Sequence, residues 1–571
     1  MGTPSSGEAD GPMHGAPNCS ADCNGAVEGG YTTGLNIVPT EKLEAVSNTK
    51  YDYIVVGGGA GGIPLAAALA EDKSLRILLL ERGASRDEHP ETRMQSKWVD
   101  LAKTGAVELL RTESGVWSAR GNVLGGGTAV NIGFWGHASP DNIKAEGWDA
   151  EAMQSAYAYL GARLSFPGTV GPVQELIQEA WQEVGVGSFN GVTPEHVPGV
   201  KTVMLTFNSD GVRHAADELL VGVKNVDIVT RALVSGVCFS DDDGDLTAIG
   251  VEFEGADGVP RHAHVIPAGG EVILCAGAVG TPQLLALSGI GPEPALRGLG
   301  ITPRVNLPVG LNLADNPLVG LLIQLGDFPR ERGLASVAGI TGQHIHLAMV
   351  GEKAATGGIA WGIVPDLPPR LRTPETLAAM AAAVEALSPD DREQLTRAVL
   401  VLVKAYRVKS RGSVTLRSTD PRAQPAVDLA HFQHPDDVTD GIAAISVLRS
   451  ILGSQTLNPW KCDTVPDALL RLVPGLAAIP PGQFPGALPF LPDEADAATW
   501  LKDKVVTCWH THGTCRVGEV VDTWHRVKGV RALRVMDASV LRDCPGTSPM
   551  ATIMALGRVL GLRMCAERPR R

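Results

Sequence analysis

Three groups of residues in the chain are typed and spaced for chemistry. The first is Gly57-Gly58-Gly59-Ala60-Gly61-Gly62, a G-x-G-x-x-G pattern at Gly57, Gly59 and Gly62. The first glycine allows a tight turn after a strand, and the second lets the backbone approach a pyrophosphate. The third lets a helix pack close to that strand, with the helix N-terminus facing the anion. Glu81 follows 19 positions after Gly62, near the spacing of a ribose-binding carboxylate. The pattern alone does not separate NAD from FAD. The second group is Gly121-Asn122-Val123-Leu124-Gly125-Gly126-Gly127-Thr128-Ala129-Val130-Asn131. Four small residues in a row, Gly125 to Thr128, cannot pack a core; they suit a backbone laid against a large flat ligand, with Asn131 as a polar anchor. The third is Trp509-His510-Thr511-His512. A carbinol carbon gives up a hydride only as its hydroxyl proton leaves, and imidazole is the usual base. A histidine in such a run is also an ordinary hydrogen-bonded structural residue. His512 has the same side-chain direction as His510 if the segment is a strand, and reads as a supporting ring.

These groups need elements to hold them. Tyr51 to Val56 is a β-branched and aromatic run ending in the glycines, Ile63 to Ala70 is an Ala/Leu-rich helix, and Arg76 to Leu80 is a second apolar strand. That is a βαβ unit on a parallel sheet. Further strands are expected at Val226–Val229, Leu233–Phe239, Ala248–Glu254 and Val272–Cys275, and helices at Leu377–Leu387 and Arg392–Val403. Val465–Leu491 is Pro- and Leu-rich and reads as irregular. Thr547–Cys565 reads as a polar entry into an apolar helix. Residues 1–50 are rich in Gly, Pro, Ser, Ala and Asn and read as a disordered or loosely attached tail, with order starting at Tyr51.

Composition narrows the classes. The chain has 571 residues, too many for one small core, and a formal net charge of −14, which makes nucleic acid a poor partner. The nine cysteines form no CxxC pair, so no metal site is expected, and their odd number argues against a complete disulfide framework. No apolar run is long enough to span a bilayer. The start lacks a basic-then-apolar signal, so a cytoplasmic location is the default. Met1-Gly2-Thr3-Pro4-Ser5-Ser6 fits the short myristoylation pattern.

The Gly121–Asn131 stretch resembles the first motif of the glucose–methanol–choline (GMC) oxidoreductase family. Gly277-Ala278-Val279-Gly280-Thr281-Pro282-Gln283 through Gly291 resembles its second. Leu307 through Asn316, Ser410-Arg411-Gly412-Ser413-Val414 with Asp420-Pro421, and the C-terminal Trp509–Cys515 and Leu533–Ser539 stretches resemble others in family order. The C-terminal motifs look most like the branch holding the plant HOTHEAD and mandelonitrile-lyase proteins. The resemblance implies an α/β fold. A Rossmann-like FAD-binding domain (51–135, 200–315 and 500–571) would interleave with an α+β substrate-binding domain on an antiparallel sheet (136–199 and 316–499). It implies FAD, with contacts at Ala60, Gly61, Glu81, Arg82, Val123, Gly127, Asn131, Ile132, Gly133, Phe134, Val234, Trp509, His510, Ala538, Pro549 and Met550. Gly57, Gly59, Gly62, Thr128 and Asp537 complete the cofactor set from the motifs themselves.

The resemblance places His510 as the base. Family members carry His or Asn at a second catalytic position, where this sequence has Ser548. A serine hydroxyl can hydrogen-bond a substrate oxygen but cannot act as a second base. The implied activity is FAD-dependent oxidation of a small-molecule alcohol, of the long-chain or ω-hydroxy fatty class, by proton abstraction and hydride transfer to the flavin. Oxygen or another acceptor would then take the electrons; oligomeric state is open. Two alternatives stand beside it. A hydroxynitrile lyase of this branch would use a Tyr two residues before the base, a mid-chain Cys and a second His. Here Cys508 and Ser548 replace the Tyr and the second His, and the mid-chain run is Gln343-His344-Ile345-His346. A fatty-acid photodecarboxylase is the second alternative, against which the His510/His512 pair argues.

Overall fold

A computed structural model describes residues 34–568 apart from 242–243, 330–334, 343, 351–378, 380–381, 385, 396, 473, 481 and 547. In chain order, the elements that build the site are β1 (Tyr53–Val56), α1 (Gly62–Leu69), β2 (Ile77–Leu80), β3 (Val226–Val229), β4 (Glu271–Leu274) and α2 (Gly277–Leu287). There follow β5 (Pro317–Gln324), β6 (Val337–Ile340), β7 (His344–Val350), β8 (Ala398–Ala405), β9 (Val506–Thr507), β10 (Leu533–Val535) and α3 (Met550–Glu567).

The apolar runs β1 and β2 are buried along their whole length, as strands covered on both faces must be. They form the middle of a five-stranded parallel sheet in the order β3-β2-β1-β4-β10. Helix α1 follows β1 through the glycine turn, giving the expected βαβ unit. Helix α3 lies close on α1: a Cβ at Gly557 would sit 2.4 Å from the Gly61 carbonyl oxygen, and one at Gly561 2.8 Å from that of Leu65. Two glycines one turn apart thus set the approach of these helices.

The second sheet has eight strands. β5 pairs antiparallel with β8, β8 with β7, β7 with β6, and β6 with Gly199–Thr202. The short strand β9 adds to the start of β5, with Leu318 opposite Val506 and Pro317 opposite Thr507. All pairings are antiparallel except that of Phe189–Val192 with Gly199–Thr202, which is parallel. The α/β fold with a parallel sheet and a separate antiparallel one is as expected.

Several local expectations are corrected. Arg392–Val403 is not one helix: a short helix, Pro389–Leu395, is followed by strand β8 from Ala398. The continuous apolar run Ala-Val-Leu-Val-Leu-Val is buried on both faces, so it lacks the alternation that marks a half-buried strand. Val465–Leu491 is not wholly irregular, since Asp467–Leu472 is helical and Ala487–Leu488 pairs with β5. Order also begins before Tyr51. Leu43–Ser47 is helical and buries Leu43 and Val46, and Lys50–Tyr51 pairs with His264–Val265. Residue 200 lies within the strand Gly199–Thr202, and β9, within 500–571, pairs with β5, so both belong to the eight-stranded sheet. The helix expected at Leu377–Leu387 lies partly outside the described residues, and within it residues 379 and 382–384 are helical; Gln343 and Thr547 also lie outside the described residues.

Candidate functional site

A cavity of about 940 Å³ runs between the two sheets, from the β1–α1 turn to His510. Its floor at one end is the glycine turn. Gly57 has φ +110°, and a Cβ there would lie 2.3 Å from the Cys275 carbonyl oxygen. Gly126, at φ +52°, packs so closely on Gly59 that a Cβ would sit 2.9 Å from the Gly59 Cα. Nothing lies within 4 Å of the position a Cβ would take on Gly127. The Gly125–Thr128 run is therefore folded back over the first glycine loop, and its backbone forms a wall of the cavity.

Glu81 closes this end. Its Oε2 accepts from the Gly58 N–H (2.8 Å) and its Oε1 from the Gly83 N–H (2.7 Å). Burial pushes the carboxyl up, against these two donors, which hold it down. Each oxygen keeps a lone pair for a ligand hydroxyl. Arg82 and Arg120 line the same end, and both reach Glu108. Asp537 ties the far wall together: it accepts from the Gly277 N–H (2.9 Å), the Thr281 hydroxyl (2.6 Å) and the Ser539 N–H (2.8 Å). Asn131 accepts from the Gly133 N–H and Arg213, both at 2.9 Å.

The cavity wall contains Gly57, Gly59, Ala60, Gly61, Glu81, Arg82, Gly127, Thr128, Asn131, Ile132, Gly133, Phe134, Val234, Trp509, His510, Asp537, Ala538, Ser548, Pro549 and Met550. Two expected residues stand behind it. Gly62 packs on the turn itself, where a Cβ would lie 2.1 Å from the Gly57 carbonyl oxygen. Val123 is fully buried beside Ala84.

The other end is built on β9. Trp509 adopts φ +57°, a left-handed conformation that costs a non-glycine residue about 1–2 kcal/mol. Its N–H donates to the Thr507 hydroxyl (2.8 Å), and the next N–H, that of His510, donates to Asp315 Oδ1 (2.9 Å). Asp315 Oδ2 accepts from the Thr507 hydroxyl (2.6 Å) and lies 2.9 Å from His431 Nε2. One buried carboxylate thus holds the kink that turns His510 into the cavity. The kink also breaks the alternation expected from a strand. His512 is fully enclosed, outside the cavity, with Nδ1 2.8 Å from the His510 carbonyl. Burial holds His512 down to about 4. Ser548 is nearly buried and reaches the cavity wall.

His510 has two partners. Its Nε2 lies 3.9 Å from Cys508 Sγ, and its Nδ1 lies 3.2 Å from Lys404 Nζ. Its enclosed position and then the charge of Lys404 push it well below the ordinary imidazole range, so the neutral ring is favoured. Cys508 is pushed up to about 12 by burial and stays a thiol. Sequence reasoning missed Lys404. Its one signal is a lone cation ending the apolar run of β8, in register with Leu400 and Leu402 and so on the face of the strand that reaches the cavity. Asp315 lies in a quoted motif, but its carboxylate's role shows only in the fold.

The comparisons with known proteins fit this geometry. Models of the GMC oxidoreductase family match residues 51–318 and 408–557. The chain belongs to the GMC oxidoreductase family. Protein HOTHEAD of Arabidopsis thaliana is 32% identical over 91% of this chain and 89% of its own length. The (R)-mandelonitrile lyase 3 of Prunus serotina is 32% identical over 91% of this chain and 86% of its own. Sinalpyl alcohol oxidase Nec3 of Nesocodon mauritianus is 31% identical over 92% and 91%. Among solved structures, that of pyridoxine 4-oxidase from Mesorbium loti superposes with a TM-score of 0.73 at 22% identity, covering 91% of this chain and all of that one. GMC oxidoreductases bind FAD, and the site suits it. Its glycine walls admit no Cβ where backbone meets backbone, a buried carboxylate with spare lone pairs stands where a ribose hydroxyl would be bound, and the volume is that of a large ligand site.

Proposed function

We propose that this GMC oxidoreductase oxidises the hydroxyl of an apolar alcohol to a carbonyl with FAD, and that His510 is the base. The observation that carries the reading is the placement of a neutral imidazole at the inner end of the FAD-sized cavity, aimed there by the Trp509 kink and Asp315. FAD, when bound, supplies the two-electron acceptor. Gly57, Gly59, Gly61, Gly127 and Glu81 would hold its nucleotide end, and Ile132, Gly133, Phe134, Ala538, Pro549 and Met550 the wall nearer His510.

The chain's own groups define the substrate end. Leu318, Leu347, Met349, Leu402, Val506 and Cys508 line the wall around His510. This surface rewards burial of a hydrocarbon chain or ring at about 25 cal/mol per Å². It also excludes water from the hydroxyl that His510 must meet. Ser548 adds one hydrogen-bonding group and no charge. The lyase alternative has less support, because its Tyr and second His are Cys508 and Ser548 here, and Cys508 stays protonated. The interleaved 51–135, 200–315 and 500–571 segments are proposed as the FAD-binding part, with the boundaries shifted so that Gly199–Thr202 and β9 go with the substrate sheet.

The test is anaerobic mixing of the FAD-loaded protein with primary alcohols while the visible flavin band is followed. Bleaching by long-chain or aryl alcohols is expected. His510→Ala should keep bound flavin and slow bleaching about 10²–10⁴-fold, the usual worth of a general base. Bleaching at an unchanged rate in that variant would remove His510 from the role.

A further inference from the structure

Lys404, a buried lysine beside the imidazole of His510, constrains which proton sits where. Its side chain is fully buried, and Nζ lies 2.8 Å from the Gly546 carbonyl oxygen and 3.2 Å from His510 Nδ1. A lysine donates to Gly546 in either charge state. The contact with Nδ1 differs between them. As an ammonium, Lys404 must donate to Nδ1, so the neutral ring carries its hydrogen on Nε2. His510 then offers the cavity a donor and has no lone pair there. As an amine, Lys404 accepts from Nδ1–H, and Nε2 presents the lone pair a base needs. An imidazolium beside an ammonium is disfavoured by burial and by like charge.

We propose that the base of this site is the His510–Lys404 pair, which takes up one proton between them, with Lys404 Nζ as its final holder. The proposal rests on the alcohol-oxidation reading. In the reacting state Lys404 is an amine and His510 carries hydrogen on Nδ1. As the substrate O–H bond breaks, its proton goes to Nε2, and the Nδ1 proton goes to Nζ. FAD, when bound, would supply the two-electron oxidant for the C–H hydride, so that the carbinol becomes a carbonyl. The pair ends as neutral imidazole and ammonium, with an Nε2–H donor on the substrate oxygen and a cation behind it. Lys404 is a positioning and proton-holding residue; it reaches the substrate only through His510.

Other ionisable groups face the pair. Burial and then the charges of Lys201, Lys404 and Arg407 hold His196 down to about 4, so His196 stands on the Lys404 side of the pair. Asp315, His512, Cys508 and Cys544 face it from the β9 and C-terminal side.

Two variants and one spectrum test this in the holoenzyme, with benzyl alcohol and 1-dodecanol as probes. Lys404→Met removes the acceptor; flavin reduction should slow about 10²-fold and lose the rise with pH expected of the wild type. Lys404→Arg keeps a donor but is always charged, so it should be at least as slow. A purely structural lysine would rank them the other way, with Arg near wild type. In ¹⁵N-imidazole spectra, His510, assigned by its absence in His510→Asn, should change tautomer from Nδ1–H to Nε2–H as pH falls, with no imidazolium. That readout stands even if neither alcohol reduces the flavin, which would count against the function and not the pair. One unchanging tautomer, an imidazolium near neutral pH, or an Arg variant as fast as wild type overturns the proposal.

Discussion

Asp315→Asn is the most informative single change outside the His510–Lys404 pair. The carboxylate accepts from Thr507 and from the His510 N–H, and it contacts His431 on the same oxygen as Thr507. An isosteric amide has one carbonyl and one NH₂, so it can face an acceptor to only one side. If the carbonyl stays toward His510, the NH₂ meets the Thr507 hydroxyl and His431. If it turns, the NH₂ meets the His510 N–H donor to donor. At least one bond to a charged group is lost, worth about 1.5–3 kcal/mol. The strained Trp509 turn depends on those same bonds, so the loss appears as relaxation of the kink and a shift of the His510 ring. A misplacement of about 1 Å costs on the order of 10²-fold in rate. Asp315→Asn is therefore expected to bind FAD with normal stoichiometry, melt lower than wild type, and reduce its flavin about 30–100-fold more slowly with a saturating alcohol. The assay is anaerobic stopped-flow reduction beside a thermal melt. A variant that reduces within twofold of wild type would refute the claim that Asp315 aims His510.

Two further outcomes follow from the same geometry. Glu81→Gln replaces an acceptor of two backbone N–H groups with one that must present an NH₂ to one of them; FAD affinity should fall about 10–100-fold, measured by titrating apoprotein and following flavin fluorescence. Acid stability follows from buried neutral histidines. Burial holds His196, His512 and His525 down to about 4 and His346 to about 3. Their unfolded-state values are near 6.5, so between about 6.5 and 4 the unfolded chain binds protons that the folded chain does not. Stability should be complete above about 6.5 and be lost as pH falls through that window, seen as a falling melting temperature. A melting temperature unchanged between about pH 7.5 and 5 would contradict it.

The sequence by itself determined the nucleotide end of the site. The Gly57–Gly62 turn, the Gly125–Thr128 run and Glu81 are set by local backbone needs: positive φ, no room for Cβ, and a strand ending near a helix start. Such needs are written in neighbouring residues, so spacing reveals them. His510 was legible too, through its motif. What tertiary structure alone decided is how His510 is aimed and what stands behind it. Asp315 and Lys404 lie 195 and 106 positions from it in the chain. Neither partner bears a local signal, because a carboxylate in a loop and a lysine ending an apolar run have many uses. Only the pairing of β9 on β5 and of β5 on β8 brings them to one point, and burial there turns ordinary side chains into a clamp and a proton holder. The same cause explains the misread β8 run: a strand covered on both faces loses the alternation that would identify it, and with it the register that placed Lys404 toward the cavity.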